Sequence, residues 1–321
     1  MTRFAMTRFA MTGFATIRFV RVLTVLSIVA GVAPAVARTL QVGPDHALQR
    51  PSEAARVARD GDTVEIEPGL YNDCAIWTAN RLLIVGKGEG PVITGPSCQG
   101  KGLFVVSGSD MTIHNVTLRG ARVRDGNGAG LRFEGRNLTI RRSRFADNEN
   151  GVLTSRSPDS HVVVLDSEFI ANGSCRRACA HGIYVGIAAS LRVERSRFAD
   201  TRVAHHIKSR ARQTVLIGND IRDGAGDSSY LVDIPNGGTL VMIDNTLEKG
   251  PRTSNPLAAI VVGAEGVRHP IGEFRLTGNR FSNRLPHPTI FLLNMTETPA
   301  LLEGNDVSQR TKQLVGPGKT P

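Results

Sequence analysis

An eight-residue pattern recurs along the chain at intervals that suit one turn of a solenoid. It runs apolar, any residue, apolar, two variable residues, Ser or Asn, any residue, and a final Phe, Leu, Ile or Val. The clear copies are LTIRRSRF (138–145), VVVLDSEF (162–169), LRVERSRF (191–198), TVLIGNDI (214–221), LVMIDNTL (240–247), FRLTGNRF (274–281) and ALLEGNDV (300–307), with MTIHNVTL (111–118) a looser one. Their final residues lie 23 to 34 positions apart. Repeats of this length build solenoids or arrays.

The pattern within each copy indicates strands. Apolar positions alternate, and Gly and Asn stand where the chain must turn, which is typical of short strands. Leucine-rich repeats have a similar length but need a regular LxxLxL pattern that is absent here. The sequence therefore predicts an all-β chain, a parallel β-helix of about nine to ten coils over residues 38–307. Residues 47–59 are expected to form a short helix that covers the open N-terminal end, and residues 308–321 a polar tail.

Equivalent residues of successive coils should stack in columns along the axis. One predicted column is a polar ladder at a corner, bonded along the axis: Ser143, Ser167, Ser196, Asn219, Asn245, Asn279 and Asn305. Each coil also has an earlier short strand. Aligning these strands predicts a second column that points outward: Arg132, Leu153, Tyr184, Lys208 and Asp233.

Residues 1–37 have the pattern of a secretory signal. Four arginines and no acid lie within residues 1–21, residues 22–36 are apolar, and Ala35-Val36-Ala37 fits a small-x-small cleavage site. A membrane anchor is the alternative, but the apolar run is short and contains Gly31 and Pro34. We therefore expect a secreted or periplasmic protein without a stable membrane span.

All four cysteines lie after the signal, and an even number in an oxidising compartment favours two disulfides. Cys74 and Cys98 are 24 residues apart, one coil, and neighbouring strands lie close enough for a bridge. Of the three possible connectivities we favour Cys74–Cys98 and Cys175–Cys179. A zinc site is the rival interpretation, although the CxxC spacing is missing.

The charge balance indicates an acidic partner. The net charge is +10, and the chain without residues 1–37 retains +6. A positive exported protein tends to meet an acidic polysaccharide, an anionic surface or nucleic acid. Export and an aromatic content of only 5% argue against nucleic acid, which is bound by stacking on aromatic side chains. We expect an acidic polysaccharide as the partner and a monomeric protein.

The N-terminal segments carry a resemblance to a known superfamily. The predicted helix, followed by GDTV (61–64) and PGLY (68–71), resembles the opening coil of the pectate-lyase-like right-handed β-helix superfamily. The resemblance extends over about residues 40–307 and implies a right-handed solenoid. This scaffold hosts lyases, hydrolases, epimerases and non-catalytic proteins, so the resemblance implies a fold and not a reaction.

Two local segments resemble known active-site coils. AHHIKS (204–209), followed by IGN (217–219), resembles the chondroitinase B and alginate lyase family, which implies that Lys208 is a Brønsted base. That family also has acidic calcium ligands and an Arg one coil later, whereas Asp233 stands here, so calcium is left open and no other cofactor or metal is predicted. AHGI (180–183) is similar to a polygalacturonase segment, but the paired aspartates of inverting hydrolases are absent.

The outward column and its neighbours supply groups for β-elimination on a uronate. The reaction needs a cation for the C6 carboxylate, a base for the C5 proton and an acid for the leaving oxygen. Lys208 is the predicted base, because neighbouring cationic side chains favour its neutral form. Tyr184 or His206 is the predicted acid. Arg210 or His205 is expected to hold the carboxylate.

Three further residues complete the predicted substrate-binding set: His181, Asp233 and Arg132. Asp233 could instead serve only as a surface ion-pair partner of Lys208, which would stabilise little. The hypothesis is a polysaccharide lyase acting on a uronate-containing polymer. A non-catalytic glycan-binding or envelope β-helix protein and a uronate C5-epimerase, which shares the first step, stay open as alternatives.

Overall fold

The structure is a computed structural model that describes residues 37–321. The predicted signal peptide lies almost wholly outside the described residues. Within them, no helix is long and apolar enough to span a membrane.

Three long parallel sheets run along one axis. Sheet 1 has twelve strands: Thr39–Val42, Thr63–Ile66, Leu83–Gly86, Met111–His114, Leu138–Arg141, Ser157–Leu165, Ala188–Glu194, Gln213–Ile217, Thr239–Ile243, Phe274–Thr277, Ala300–Glu303 and Gly318–Lys319. Sheet 2 has ten: Ala75–Trp77, Gly102–Val106, Ala129–Phe133, Asn150–Thr154, Ile183–Val185, Ile207–Ser209, Val232–Ile234, Ala258–Val262, Thr289–Asn294 and Thr311–Val315. Sheet 3 has ten: Gly69–Asn72, Pro91–Thr94, Thr117–Arg119, Arg144–Ala146, Glu168–Ile170, Arg197–Ala199, Asp220–Arg222, Thr246–Lys249, Arg280–Asn283 and Asp306–Val307.

Each coil passes through sheet 1, then sheet 3, then sheet 2, and returns to sheet 1 beside its starting strand. The result is the all-β parallel β-helix that the repeat predicts. It has about eleven turns, slightly more than the nine to ten expected. A two-stranded antiparallel hairpin, Ser174–Cys175 with Cys179–Ala180, projects between sheets 3 and 2.

The ends of the solenoid differ in detail from the sequence expectation. The N-terminal helix spans Pro51–Val57, shorter than residues 47–59, and it buries Pro51, Ala54 and Ala55. The segment expected to be a polar tail continues the solenoid instead: Thr311–Val315 pairs with Thr289–Asn294. Leu314 packs against the core there, which explains why the segment forms a further strand.

The repeat pattern sets the core. The final Phe of three consecutive copies, Phe145, Phe169 and Phe198, is fully buried, and the rings stack at 4.8 and 4.6 Å between centroids. In-register parallel strands place equivalent side chains of successive coils above one another, so these Phe side chains form one stack inside the solenoid. This column of rings makes the coils uniform in this part of the molecule.

The predicted polar ladder is also confirmed. The Asn219 side-chain amide donates to Asn245 Oδ1 at 2.9 Å, and Asn245 donates in the same way to Asn279. Backbone N–H groups of one coil donate to the side chain of the next, as from Ser167 to Ser196 Oγ at 3.1 Å. These bonds join one coil to its neighbour, so the ladder ties successive turns together.

Both predicted disulfides are confirmed. Cys74 and Cys98 are joined with Cα atoms 5.5 Å apart, which links consecutive coils near the N-terminal end. Cys175 and Cys179 close the small hairpin, with Cα atoms 4.1 Å apart. These pairings account for all four cysteines, so no zinc site is built from them.

Candidate functional site

The predicted outward column lies on sheet 2. The register pairs Arg132 with Leu153, Leu153 with Tyr184, Tyr184 with Lys208, and Lys208 with Asp233. Because the strands are parallel and in register, these side chains leave the same face of the sheet, one coil apart. The column is therefore the one that aligning the strand sequences predicts.

Lys208 is not the free, solvated lysine that an outward position suggests. Its Nζ donates to Asp233 Oδ2 at 2.7 Å and to Glu265 Oε1 at 2.9 Å. The Lys208 and Asp233 side chains are only 11% and 4% exposed, whereas that of Glu265 is 42% exposed. The amine thus has a buried carboxylate beneath it and a solvent-facing one above it.

Arg210 sits beside this pair and joins it to Tyr184. Its Nε donates to the Tyr184 hydroxyl oxygen at 2.9 Å, and one terminal nitrogen donates to Asn236 Oδ1. Its other terminal nitrogen lies 2.7 Å from Glu265 Oε2. Burial opposes the charge of Arg210, but the hydrogen bonds with Tyr184 and Glu265 raise its pKa above the usual value. Arg210 therefore stays positive and has fixed orientation.

The carboxylates of this cluster differ in environment. Burial raises the pKa of Asp233 above its usual value, despite the opposing effect of Lys208. Its Oδ1 is buried and has no hydrogen-bond partner among residues 37–321. Burial also acts on Glu265, but hydrogen bonds from Lys208 and Arg210 outweigh it and lower the pKa of Glu265. Asp233 is the carboxylate more easily protonated.

Two stacked imidazoles flank the column. The rings of His181 and His205 lie 4.9 Å apart between centroids, and His205 stacks in turn on Tyr230. His181 Nδ1 accepts the backbone N–H of His205, and His205 Nδ1 accepts that of Tyr230. A neutral ring with an accepting Nδ1 carries its proton on Nε2, and His205 Nε2 faces Asp233 Oδ2 at 3.4 Å.

Burial and nearby positive charges keep these imidazoles neutral. Burial lowers the pKa of His205 to about 3, with a further contribution from Lys208. Burial also lowers the pKa of His181 well below its usual value, helped by the positive charges of Lys208 and Arg210. A neutral imidazole lacks the charge that holds a carboxylate, so the structure favours Arg210 over His205 for that role.

The structure corrects the expectation for His206. Its ring is fully buried, with Nδ1 2.8 Å from Thr201 Oγ1 and Nε2 3.1 Å from Asp223 Oδ1. The strand begins only at Ile207, and Ala204 before it has a φ of 69°, so the backbone turns ahead of the strand. Strand alternation therefore does not extend to residue 206, and His206 cannot donate a proton to a bound polymer.

His206 belongs instead to a buried charged cluster with Asp223 and Lys249. The Lys249 and Asp223 side chains are fully buried, 3.9 Å apart. Burial lowers the pKa of Lys249 to about 8. Burial opposes ionisation of Asp223 as well, but the hydrogen bond with His206 and nearby charges lower its pKa. Since no member reaches solvent, the cluster supports the loops before sheet 2 and is not a reaction site.

A groove of about 600 Å³ lies at the C-terminal ends of the sheet 2 strands, where Arg132 and Tyr184 of the column line it and Lys208 lies beneath the lining residue Glu265. Its lining combines four arginines with Tyr184, Glu265 and small or polar groups: Arg132, Thr154, Ser155, Arg156, Tyr184, Gly186, Ile187, Arg210, Asn236, Glu265 and Arg268. Arg132 lies at its edge, bound to Glu134 at 3.2 Å. The groove is open and basic, which suits an extended anionic ligand.

No metal centre accompanies the groove in the described part of the chain. Among residues 37–321, no group of three or more His, Cys, Asp or Glu side chains is arranged to hold a metal ion. The carboxylates near the column are bound to Lys208 and Arg210 instead.

A family model agrees with the coil geometry. Residues 89–221 match the model described as right handed beta helix region. The chain has the right-handed β-helix fold. No curated protein sequence matches the chain.

Several solved structures resemble the chain over most of its length. The deglycosylated pectin methylesterase from Aspergillus niger matches with 11% identity and a TM-score of 0.51, covering 88% of this chain and 91% of that one. The mannuronan C-5 epimerase A-module from Azotobacter vinelandii matches with 15% identity and a TM-score of 0.46, covering 84% and 92%. A pectate lyase matches with 12% identity and a TM-score of 0.45, covering 86% and 78%. At such identities the likeness concerns the fold and not the reaction.

Sequence reasoning missed the residues that loops bring to the column. Glu265, Arg268 and Asn236 follow sheet 2 strands and have no equivalents in the repeat. One signal was available: the interval between the repeat ends Leu247 and Phe281 is 34 residues, the longest in the chain. The additional residues form the loop that contains Glu265. A long interval therefore indicates a coil with an inserted loop.

Proposed function

We propose that the chain is an exported protein that cleaves a uronate-containing polysaccharide by β-elimination in the groove over sheet 2. The observation that carries the proposal is the convergence of Lys208 and Arg210 on one carboxylate, that of Glu265, next to the hydroxyl of Tyr184. A guanidinium that already binds a carboxylate can bind the carboxylate of a uronate, with the amine of Lys208 beside it. The two disulfides suit an oxidising compartment such as the periplasm or the exterior.

Arg210 is assigned to the C6 carboxylate of the substrate. Neutralising that carboxylate makes the C5 proton easier to remove, because the developing negative charge spreads onto the carboxylate oxygens. Arg210 is held by Tyr184 and Asn236, so it presents its remaining donors in a fixed direction. A preorganised guanidinium of this kind forms the stronger, charge-assisted hydrogen bonds.

Lys208 is assigned to removal of the C5 proton. It needs a neutral amine for this, and Asp233 at 2.7 Å can take the proton of the ammonium. Burial raises the pKa of Asp233, which makes this transfer easier than it would be to a solvated carboxylate. Asp233 is thus a positioning residue that holds the Lys208 amine by a hydrogen bond and offers a carboxylate oxygen to its proton.

Tyr184 is assigned to the leaving oxygen. Because Arg210 Nε donates to the phenol oxygen, the hydroxyl hydrogen of Tyr184 is free to point into the groove. In the reaction Lys208 takes the C5 proton, the C4–O bond breaks as the C4–C5 double bond forms, and Tyr184 gives its proton to the departing oxygen. The products are a new hydroxyl end and an unsaturated uronate end.

The test is the appearance of unsaturated uronate on incubation with polymers of galacturonate, mannuronate, guluronate and glucuronate-containing glycosaminoglycans, followed by ultraviolet absorbance. Lys208→Arg keeps the positive charge but cannot act as a base, and Tyr184→Phe removes only the hydroxyl. Each should lower the rate by about 10²-fold or more. Tyr71→Phe, which removes a hydroxyl bound to the Glu67 carbonyl far along the chain, is the matched control and should keep the rate.

Two results would contradict the proposal. Polymer binding without unsaturated product, and without exchange of the C5 proton with solvent deuterium, would favour the non-catalytic glycan-binding alternative. Deuterium incorporation at C5 without cleavage would favour the epimerase alternative, because epimerisation returns a proton instead of breaking the C4–O bond.

A further inference from the structure

Glu265 reaches the site from outside the repeat. It lies in the loop after the Ala258–Val262 strand, and its carboxylate contacts Lys208 from a position 57 residues further along the chain. Its backbone N–H donates to the Pro235 carbonyl at 2.9 Å, and the N–H of Gly263 donates to Ile234. The loop is therefore anchored to the preceding coil, and Glu265 is held over the cationic pair.

The carboxylate of Glu265 uses both of its oxygens on the two cations. Oε1 accepts from Lys208 at 2.9 Å, and Oε2 lies 2.7 Å from Arg210 Nη2. The Glu265 side chain is far more exposed than either cation, so it covers them on the solvent side. A ligand carboxylate that enters the groove must therefore compete with Glu265 for these donors.

The two acidic partners of Lys208 differ in how easily they can leave. Asp233 is buried, and separating it from Lys208 would strand a charge away from water, which is costly. Glu265 is partly exposed, and ion pairs of exposed carboxylates contribute little net free energy because water solvates the separated groups. Glu265 is the exchangeable partner.

We propose that Glu265 is an internal carboxylate that occupies the subsite for the substrate carboxylate, and that a uronate must displace it to bind Arg210 and bring its C5 proton to Lys208. This inference rests on the proposed function, since it names the group that the groove recognises. It also gives Glu265 a regulatory effect: the apparent affinity equals the intrinsic affinity multiplied by the fraction of molecules in which the side chain has left the subsite. Displacement also removes a carboxylate from Lys208 at the moment when the amine must lose its proton.

The experiment compares Glu265→Gln with Glu297→Gln in a Tyr184→Phe background, so that the ligand is not cleaved. Glutamine keeps the size of the side chain but removes the charge that competes for the cations. Glu297 lies exposed after the next sheet 2 strand, so its replacement makes the same change in net charge away from the cationic pair. The probes are uronate trisaccharides of the galacturonate, mannuronate and glucuronate series, with dissociation constants measured by calorimetry.

We expect Glu265→Gln to bind one series about fivefold to tenfold more tightly, and Glu297→Gln to change binding by less than about twofold. Unchanged or weaker binding by Glu265→Gln, with binding by the parent intact, would overturn the inference and leave the proposed function standing. An equal gain in both variants would also overturn it, as a general effect of net charge. Absence of binding in every variant would count against the proposed function itself.

Discussion

Two columns of polar side chains run along this solenoid, and they are built differently. In the corner ladder from Ser143 to Asn305, every member is Ser or Asn and bonds to its equivalent in the next coil. In the sheet 2 column, each coil contributes a different chemistry: a guanidinium, a methyl-bearing chain, a phenol, an amine and a carboxylate. The first column repeats with the fold, and the second departs from it.

The difference separates support from chemistry. A repeated polar residue satisfies itself along the axis, so it has no bonding capacity left for a ligand. A column of unlike groups does so only between Lys208 and Asp233, and it takes a further partner, Glu265, from a loop. In a repeat protein, the coil that breaks the pattern is therefore the place to look for function.

The largest effect on stability is expected for loss of the buried ion pair between Lys208 and Asp233 in the sheet 2 column. Lys208→Ala should lower the free energy of unfolding by about 4 kcal/mol, because it leaves Asp233 buried without its ammonium partner. Urea denaturation measures this, and Asp233→Asn added to Lys208→Ala should recover part of the loss. Lys312→Ala, at an exposed lysine of the same sheet, is the control. Equal stability of Lys208→Ala and the parent would show that the pair is not buried in solution.

A smaller effect is expected for a break in the ladder. Asn245→Ala should cost about 3 kcal/mol, because the amide groups of Asn219 and Asn279 and the carbonyl of Leu216 lose buried partners. Asn305→Ala, at the partly exposed end of the ladder, should cost less. Glycan binding and any cleavage rate should be unchanged for folded Asn245→Ala. A selective loss of binding there would break the distinction between the two columns.

Over a single pH unit, the smallest effect is a pH dependence of the unfolding free energy that comes from His205. Above pH 6.5 its imidazole is neutral in both the folded and unfolded states, and it does not affect stability. Between pH 6.5 and about 3 the unfolded chain binds a proton that the folded protein does not, so stability falls as the pH falls. In this window His205 lowers the free energy of unfolding by up to about 1.4 kcal/mol for each unit by which the pH falls. His205→Gln should flatten the profile of unfolding free energy in this window, and an unaltered slope would contradict the neutral, buried state.

Repetition explains how much could be predicted. The ladder, the stacked Phe residues and the register of Tyr184 with Lys208 all follow from spacing, because equal coils place equal positions together. The side chains that surround the column could not be predicted from the spacing in the same way. Which of His205 and His206 lies beside the column depends on where the strand begins, and that point is fixed by the turn at Ala204.

The loop residues escaped prediction for a related reason. Glu265 contacts Lys208 across 57 residues of sequence, and no period of the repeat connects the two positions. Its contact depends on loop conformation, which backbone bonds to Pro235 and Ile234 establish only in the folded chain. The column's register was therefore predictable, whereas the protonation state and occupancy of the site were not.

The most direct test of the central claim is amide hydrogen exchange with and without a bound uronate oligosaccharide. The account predicts slower exchange in the groove segments 184–187, 210–212, 235–238 and 263–268, with unchanged exchange in the ladder segments between sheets 1 and 3. Protection confined to another face of the solenoid, or no protection by any uronate series, would contradict the assignment of the sheet 2 groove as the site for acidic polysaccharide.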